Sequence, residues 1–564
     1  MHKLWDMTSM EYDYIIVGAG SAGCVMANRL SADGNNTVLL IEAGRKDGAW
    51  SLKIPAAVLT NLKSTRHNWA FQGEPEPELG GRSLQHDRGK TLGGSSSING
   101  MVFIRGHALD FQGWRQAGCE GWGYADVLPY FKRGECYDGG ACDYRGGDGP
   151  LKVHRPEPNN PIYHAFRQAG KQAGYPESED ICGFRQEGFS ILDQSIYNGE
   201  RSSTATAFLA PVLGRSNLTV ITKALVTHIE IKDKVATGVT FIDTSFGAGG
   251  AVVTAKARRE VVLSAGAVGS PHLLMLSGIG PAAHLSAKGI KVKQDLAGVG
   301  QNLNDHPDFV LKYECLQPVS IWPKTRPLGR AIAGIQWLIN RTGVCASNQF
   351  DMVACLRSSA GVEYPDIQLT ISPVAVDDGT WSPLPEHAFQ IHVGLMRAYS
   401  RGEITLRDAN PKTPPRILAN YLKDPRDRDL LRAGVAIVRE LVDQPAFAGL
   451  CGAEIFPGAA VVSDADLDSC FESHLASQWH LSGTARMGAK TDSGAVVDPE
   501  GRVHGIAGLR VVDASIMPAA TNGNTNSPTI MIAEKLSDAI LGLPPLPPLD
   551  VAVWQNPNYE TSQR

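Results

Sequence analysis

The chain has 564 residues with 53 Lys and Arg against 58 Asp and Glu, too long for one compact core and suited to two lobes. Near-balanced charge gives no argument for nucleic acid or another strongly charged partner. Ten cysteines without a C-x-x-C pair argue against metal ligation and a disulfide scaffold, and fit a reducing compartment.

The opening MHKLWDMTSMEYDY lacks the apolar core of a secretory signal, and no run approaches the roughly 18 apolar residues of a membrane span. A cytoplasmic location is expected, with peripheral membrane contact left open. Tyr14, Ile15, Ile16 and Val17 form a short apolar run suited to a buried parallel strand. It stops at Gly18-Ala19-Gly20-Ser21-Ala22-Gly23, and a helical pattern follows. Gly18 serves a sharp turn, Gly20 a close approach to pyrophosphate, and Gly23 the packing of helix on strand. The new helix offers free N–H groups and its positive end to phosphates. A second apolar strand, residues 38–41, ends in Glu42, placed to accept hydrogen bonds from an adenosine ribose. These residues predict an ADP-containing cofactor, FAD or NAD.

Residues 43–88 read as irregular. Gly89-Lys90-Thr91-Leu92-Gly93-Gly94-Ser95-Ser96-Ser97-Ile98-Asn99-Gly100-Met101-Val102 then reads as a turn whose backbone closely approaches a ligand. An amphipathic helix is expected over 163–173, strands over 218–221, 226–231 and 235–241, and a short buried strand over 259–265. In the helix that follows, Ser270 is the expected cap, Pro271 the first helical residue and Gly278 the stop. Residues 311–475 mix strand alternation (367–371) with an amphipathic helix (427–442) and carry no nucleotide signature. A late strand over 509–512 runs into Asp513 and then, through Asn522-Gly523-Asn524-Thr525-Asn526, into a helix with Ser527 as cap and Pro528 first. The proline-rich residues 543–548 read as an extended strap before a polar tail.

Taken together, VGAGSAG with Glu42, GKTLGGSSSINGMVFIRG, GAVGSPHLLMLSGIG, WHLSGTARMG and VVDASIMPAATNGNTNSPTIMIAEK resemble the glucose–methanol–choline (GMC) family of FAD-dependent alcohol oxidoreductases over nearly the whole chain. The resemblance implies an α/β (α+β overall) fold. A Rossmann-like FAD-binding domain is assembled from discontinuous segments, 11–155, 206–310 and 476–545. The substrate-binding domain, 156–205 and 311–475, is built on a mixed or antiparallel sheet, and 546–564 form a tail. It implies FAD rather than NAD. Gly18, Gly20, Ser21, Ala22, Gly23, Glu42 and Ala43 hold the ADP half, with Val226 at the adenine. Thr91, Gly94, Ser95, Asn99, Gly100, Met101 and Val102 line the pyrophosphate and isoalloxazine, with Trp69, Ala265, Gly266, Asp513 and Ala514 completing the set. Trp479 is expected to wall the flavin or substrate. His480 corresponds to the family's active-site histidine, and Asn526 is read as its asparagine partner. Some relatives attach FAD covalently through a histidine at the position of Ile98, so non-covalent FAD is expected. His306 and His86 are read as structural.

Histidine suits alcohol oxidation because its pKa lies near neutrality, and an asparagine amide holds the alcohol oxygen without adding charge. The expected reaction is hydride transfer from a primary alcohol to flavin N5, giving an aldehyde, with O2 or a quinone- or dye-type acceptor. A non-redox lyase of the cyanohydrin type on the same fold is the alternative.

Overall fold

The computed structural model describes residues 10–247 and 249–564; most of the opening segment read above for a secretory signal, residues 1–9, lies outside the described residues. Two seven-stranded sheets organise the chain. At the centre of the first lies Met10–Val17, flanked in parallel by Val38–Glu42 and Ala251–Leu263. Leu218–Thr222 extends this sheet in parallel, and Leu509–Val511 adds a late strand beside Ala251–Leu263. The antiparallel hairpin of Ala224–Lys232 and Val235–Asp243 completes it. All five residues of Val38–Glu42 are buried, as a central parallel strand covered on both faces requires. Each fully buried Leu or Ile there contributes about 1.5–3 kcal/mol.

The second sheet is antiparallel, in the order Cys451–Phe456, Pro307–Cys315, Ala388–Leu395, Ile367–Ser372, Met352–Leu356 and Gly188–Ile191. The short strand Ala476–Ser477 pairs with Pro307–Cys315. Helix Pro425–Val442 packs on this sheet, and Gly434 permits the approach, since a Cβ there would lie 2.2 Å from Val393 Cγ1. The expected α/β architecture is thus present: a parallel-centred sheet built from dispersed segments, and an antiparallel sheet beside it. Among the described residues, no helix is long and apolar enough to cross a membrane.

Two helix starts differ from the sequence expectation. Helix Gly266–Leu276 begins before Ser270, with Pro271 in its interior. Its start is fixed by Asp513, whose carboxylate accepts from the Gly266 N–H at 2.9 Å and from the Ser270 hydroxyl. Pro271 has no N–H for the carbonyl four residues back, and that carbonyl, of Ala267, accepts instead from Thr484 Oγ1 at 2.6 Å. The missing bond thus ties this helix to the 479–488 motif. The last long helix is Asn526–Leu541, so Asn526 is already helical, with Thr525 before it. Pro528 is tolerated there because first-turn N–H groups have no intrahelical partner.

Candidate active site

One cavity of about 1850 Å³ is lined from the first sheet by Val17, Gly18 and Glu42, and from the second by Val310, Thr370 and His392. Drug-sized ligands typically occupy roughly 300–1,000 Å³, so this space accommodates a dinucleotide together with a substrate. At its phosphate end the fit is made by backbone. Gly18 has φ +96°, and a Cβ there would lie 2.5 Å from the Ser264 carbonyl oxygen. A Cβ on Gly94 would lie 2.6 Å from the Gly20 Cα, whereas at Gly100 and Gly266 no atom lies within 4 Å of an added Cβ. The two glycine loops therefore close on each other and leave open space towards the cavity, the cradle a flat dinucleotide needs.

Glu42 accepts from the N–H groups of Ala19 (2.9 Å) and Gly44 (2.7 Å). Burial pushes its carboxyl up to about 7, against the pull of those amides and of Lys90. Of the predicted cofactor positions, all but two line the cavity. Gly23 lies behind it, its missing Cβ leaving room for the Gly18 carbonyl, 1.9 Å from where that atom would be; its service is to helix–strand packing. Thr91 also departs from expectation. It is fully buried and donates its hydroxyl to the Arg45 carbonyl at 2.9 Å, pinning the loop from behind.

At the other end, two chain segments form an interrupted ladder. Pro307 and Asp308 pair with Ser477 and Ala476, the Gln478 N–H donates to the His306 carbonyl at 3.0 Å, and Asn304 exchanges backbone bonds with Ser482. Between these bonds Trp479 adopts φ +59°, a left-handed bulge that turns His480 out of the ladder and into the cavity. Asp305 fixes the bulge, accepting from the His480 N–H at 2.7 Å and from the hydroxyls of Ser477 and Tyr421. Arg88, partly buried, donates to the Trp479 carbonyl.

The His480 ring lies between two partners: Nε2 is 3.0 Å from Asn524 Nδ2 and Nδ1 is 3.0 Å from His306 Nδ1. An amide nitrogen only donates, so Nε2 presents a lone pair, and Nδ1 carries the proton towards His306. Burial first, then His306 and Arg88, holds the imidazole well below the usual histidine range. His306 is itself lowered to about 4 by burial. This is a neutral imidazole in a fixed orientation.

The asparagine beside His480 is therefore Asn524, not Asn526. Asn526 Oδ1 accepts from Ser21 Oγ at 2.7 Å, joining the last helix to the first phosphate turn. The physical reason is position. Asn526 is the first residue of its helix, whereas Asn524 follows Gly523 (φ +114°) in the loop and is free to turn to the imidazole. His306, read as structural, sits directly against the His480 ring. Arg88, Asp305 and Arg201 carried no sequence signal. Arg201 is fully buried and donates to the Asn99 side chain at 2.7 Å and its carbonyl at 2.6 Å, holding the second glycine loop. Trp479 lines the cavity with its ring stacked on Trp381 at 5.3 Å.

Comparison with known proteins gives a concordant result. A family model described as GMC oxidoreductase matches residues 12–308, and its C-terminal counterpart matches residues 398–533. An oxygen-dependent choline dehydrogenase of Brucella ovis is 48% identical over 555 residues, 98% of this chain and 100% of that one. One from Rhizobium etli is 47% identical over the same span. Pyridoxine 4-oxidase from Mesorbium loti superposes with a TM-score of 0.84 at 30% identity, over 93% of this chain and 98% of the other. A formate oxidase variant from Aspergillus oryzae gives 0.87 at 27% identity, over 95% and 98%.

Proposed function

The chain belongs to the GMC oxidoreductase family and is an FAD-dependent oxidoreductase of CH–OH donors; from that premise we propose that it oxidises an uncharged, largely apolar primary alcohol to the aldehyde. The observation that carries this reading is the contact of His480 Nε2 with Asn524 Nδ2 in the cavity that the glycine cradle also lines. Bound FAD supplies the hydride acceptor. Gly18, Gly20, Gly94 and Glu42, which line the cavity, would hold its dinucleotide half. Asn99, Gly100 and Met101, which line the cavity on a loop held by Arg201, would hold its ring system. The first turn of helix Asn526–Leu541 opens on the cavity and brings the positive end of a helix to it, suited to negative charge on a reduced ring.

An alcohol oxygen entering between His480 and Asn524 donates its proton to Nε2 and accepts from the amide, replacing their direct contact. The amide fixes the oxygen, and the carbinol C–H is left to face the hydride acceptor. With FAD in place to take the hydride and its electron pair, the hydroxyl proton would pass to Nε2 as the C=O bond forms. The lowered pKa keeps His480 in its accepting form at neutral pH. His306, on Nδ1, holds the tautomer and takes no part in the bond changes.

Two observations favour an uncharged substrate. Leu52, Leu62 and Ile98 form a separate apolar cluster against which Val58, Leu59, Trp381 and Trp479 pack, giving the cavity a wall without a carboxylate. Moreover, each acid lining the cavity among the described residues is engaged within the protein. Glu42 and Asp513 hold backbone amides, Asp87 takes Asn68 and Gln85, and Asp308 takes His392. Asp377 takes Thr380 and Asp378 takes Lys312. Of these only Asp378 faces a full positive charge, so the reading rests chiefly on the apolar wall. Ile98, buried in that cluster, offers no nucleophile to the flavin, which supports non-covalent FAD; acid precipitation then releases all the yellow colour.

Anaerobic bleaching of the flavin with a panel of alcohols tests the reading. Apolar primary alcohols are expected to reduce it faster than choline, and preferential reduction by choline overturns the substrate assignment. Readmitting air and assaying peroxide then distinguishes O2 from a quinone-type acceptor.

A further inference from the structure

Helix Pro327–Asn340 is amphipathic in the inverted sense. A surface helix ordinarily turns its apolar stripe to the core. Here only Ala333 and Trp337 are buried, while Leu328 (75% exposed), Ile332 (59%), Ile335 (56%) and Ile339 (74%) face solvent. Their spacing of four, three and four residues places them on one stripe, opposite the buried pair. Trp50, 60% exposed, packs edge-on against Trp337 at 6.3 Å beside it. A contiguous apolar face of this kind marks an interaction site.

The charge around the helix selects the partner. The chain as a whole carries a formal charge of −5, yet from Cys315 to Phe350 there is no Asp or Glu, only Lys324, Arg326, Arg330 and Arg341, the last paired with Glu200 at 2.8 Å. A two-fold contact with a second copy would set the remaining cations, Lys324, Arg326 and Arg330, against their own copies, whereas anionic headgroups neutralise them. At 14 residues the helix is about 21 Å long, short of the roughly 30 Å hydrocarbon core, so it lies on a bilayer and does not cross it. Lys324, Arg330 and Ala333 also line the catalytic cavity.

We propose that the outer face of helix Pro327–Asn340 docks on an anionic lipid bilayer, setting one wall of the redox cavity against the membrane surface. The test is co-flotation of the FAD-loaded protein with vesicles of phosphatidylcholine alone or mixed with phosphatidylglycerol, a readout that needs no turnover and so stands apart from the substrate assignment. The wild type is expected to float with the mixed vesicles, less so at high salt, and I332E/I339E to lose at least about tenfold of that binding. Both exchanges are at exposed positions, so the flavin-to-protein absorbance ratio of I332E/I339E should match the wild type. If the wild type stays with the soluble fraction, or I332E/I339E floats equally well, the proposal fails. If instead the wild type elutes as a dimer that I332E/I339E dissolves, without vesicle binding, the face is a contact between copies of this chain and the bilayer reading is overturned.

Discussion

The two ends of the cavity are built by different means. The phosphate end is backbone: Gly18 packs against the Ser264 carbonyl and Gly94 against Gly20 at distances that a Cβ on Gly18 or Gly94 would forbid. The carbinol end is side chain: His480 is held by the adjacent Asp305 and His306 and by Asn524, from two stretches of sequence far apart from each other. A backbone site tolerates little substitution at its glycines and much around them. A side-chain site depends on each member and on the positions that aim it.

The sharpest way to break this comparison is His480→Ala. A positioned base typically contributes about 100- to 10,000-fold, so anaerobic flavin reduction is expected to slow at least about 100-fold with the flavin spectrum retained. Wild-type reduction by His480→Ala would remove the assignment. Next in size is Asn524→Ala. Loss of one buried amide donor costs about 1–3 kcal/mol, equivalent to roughly 5- to 150-fold in rate. Asn526→Ala, two residues on, should change the reduction rate by less than about threefold, because its side chain is bonded to Ser21. A reversal of the two effects would restore Asn526 to the role that the sequence pattern suggested.

That pair shows what the sequence could and could not convey. The phosphate cradle was legible because glycine spacing between a strand and a helix encodes a local requirement, met within six residues. The second sheet was legible only in part, as alternation over 367–371, since its pairings join strands far apart in the chain. His480 was reached through its motif, but its partner among Asn522, Asn524 and Asn526 depends on where the helix begins, and helix ends are poorly encoded by local pattern. Thr91 stands in the same loop as Gly89 and Gly94, which line the cavity, but its own hydroxyl turns back to Arg45, a contact that the motif does not encode. Arg88, Asp305 and His306 act through contacts across hundreds of residues, for which sequence spacing holds no signal.

The pH dependence sharpens the same contrast at smaller amplitude. Burial lowers the His480 pKa, so its neutral, proton-accepting form persists as pH falls through the ordinary histidine value of about 6.5. It is lost only where pH passes the lowered value. The rate of flavin reduction at saturating alcohol should therefore stay level between about pH 8 and pH 6 and decline only in more acid solution. An ascending limb centred at or above about pH 6.5 would mean that His480 is solvated like a surface histidine, against its burial here.

The smallest expected effect concerns the link between the two ends. Ser21 belongs to the phosphate turn and Asn526 to the first turn of the last helix, and their 2.7 Å hydrogen bond joins them across 505 residues of sequence. One such bond is worth about 1 kcal/mol, a small part of the stability of a chain this size. Ser21→Ala and Asn526→Ala should each lower the melting temperature of the FAD-loaded protein slightly and by similar amounts. Because both remove the same bond, the double variant should be hardly worse than either alone, whereas independent contributions would add. Additive losses would show that the last helix is anchored by its packing against Ser21–Leu30 and not through this pair, and that the cradle and the catalytic loop are held in register by apolar contact.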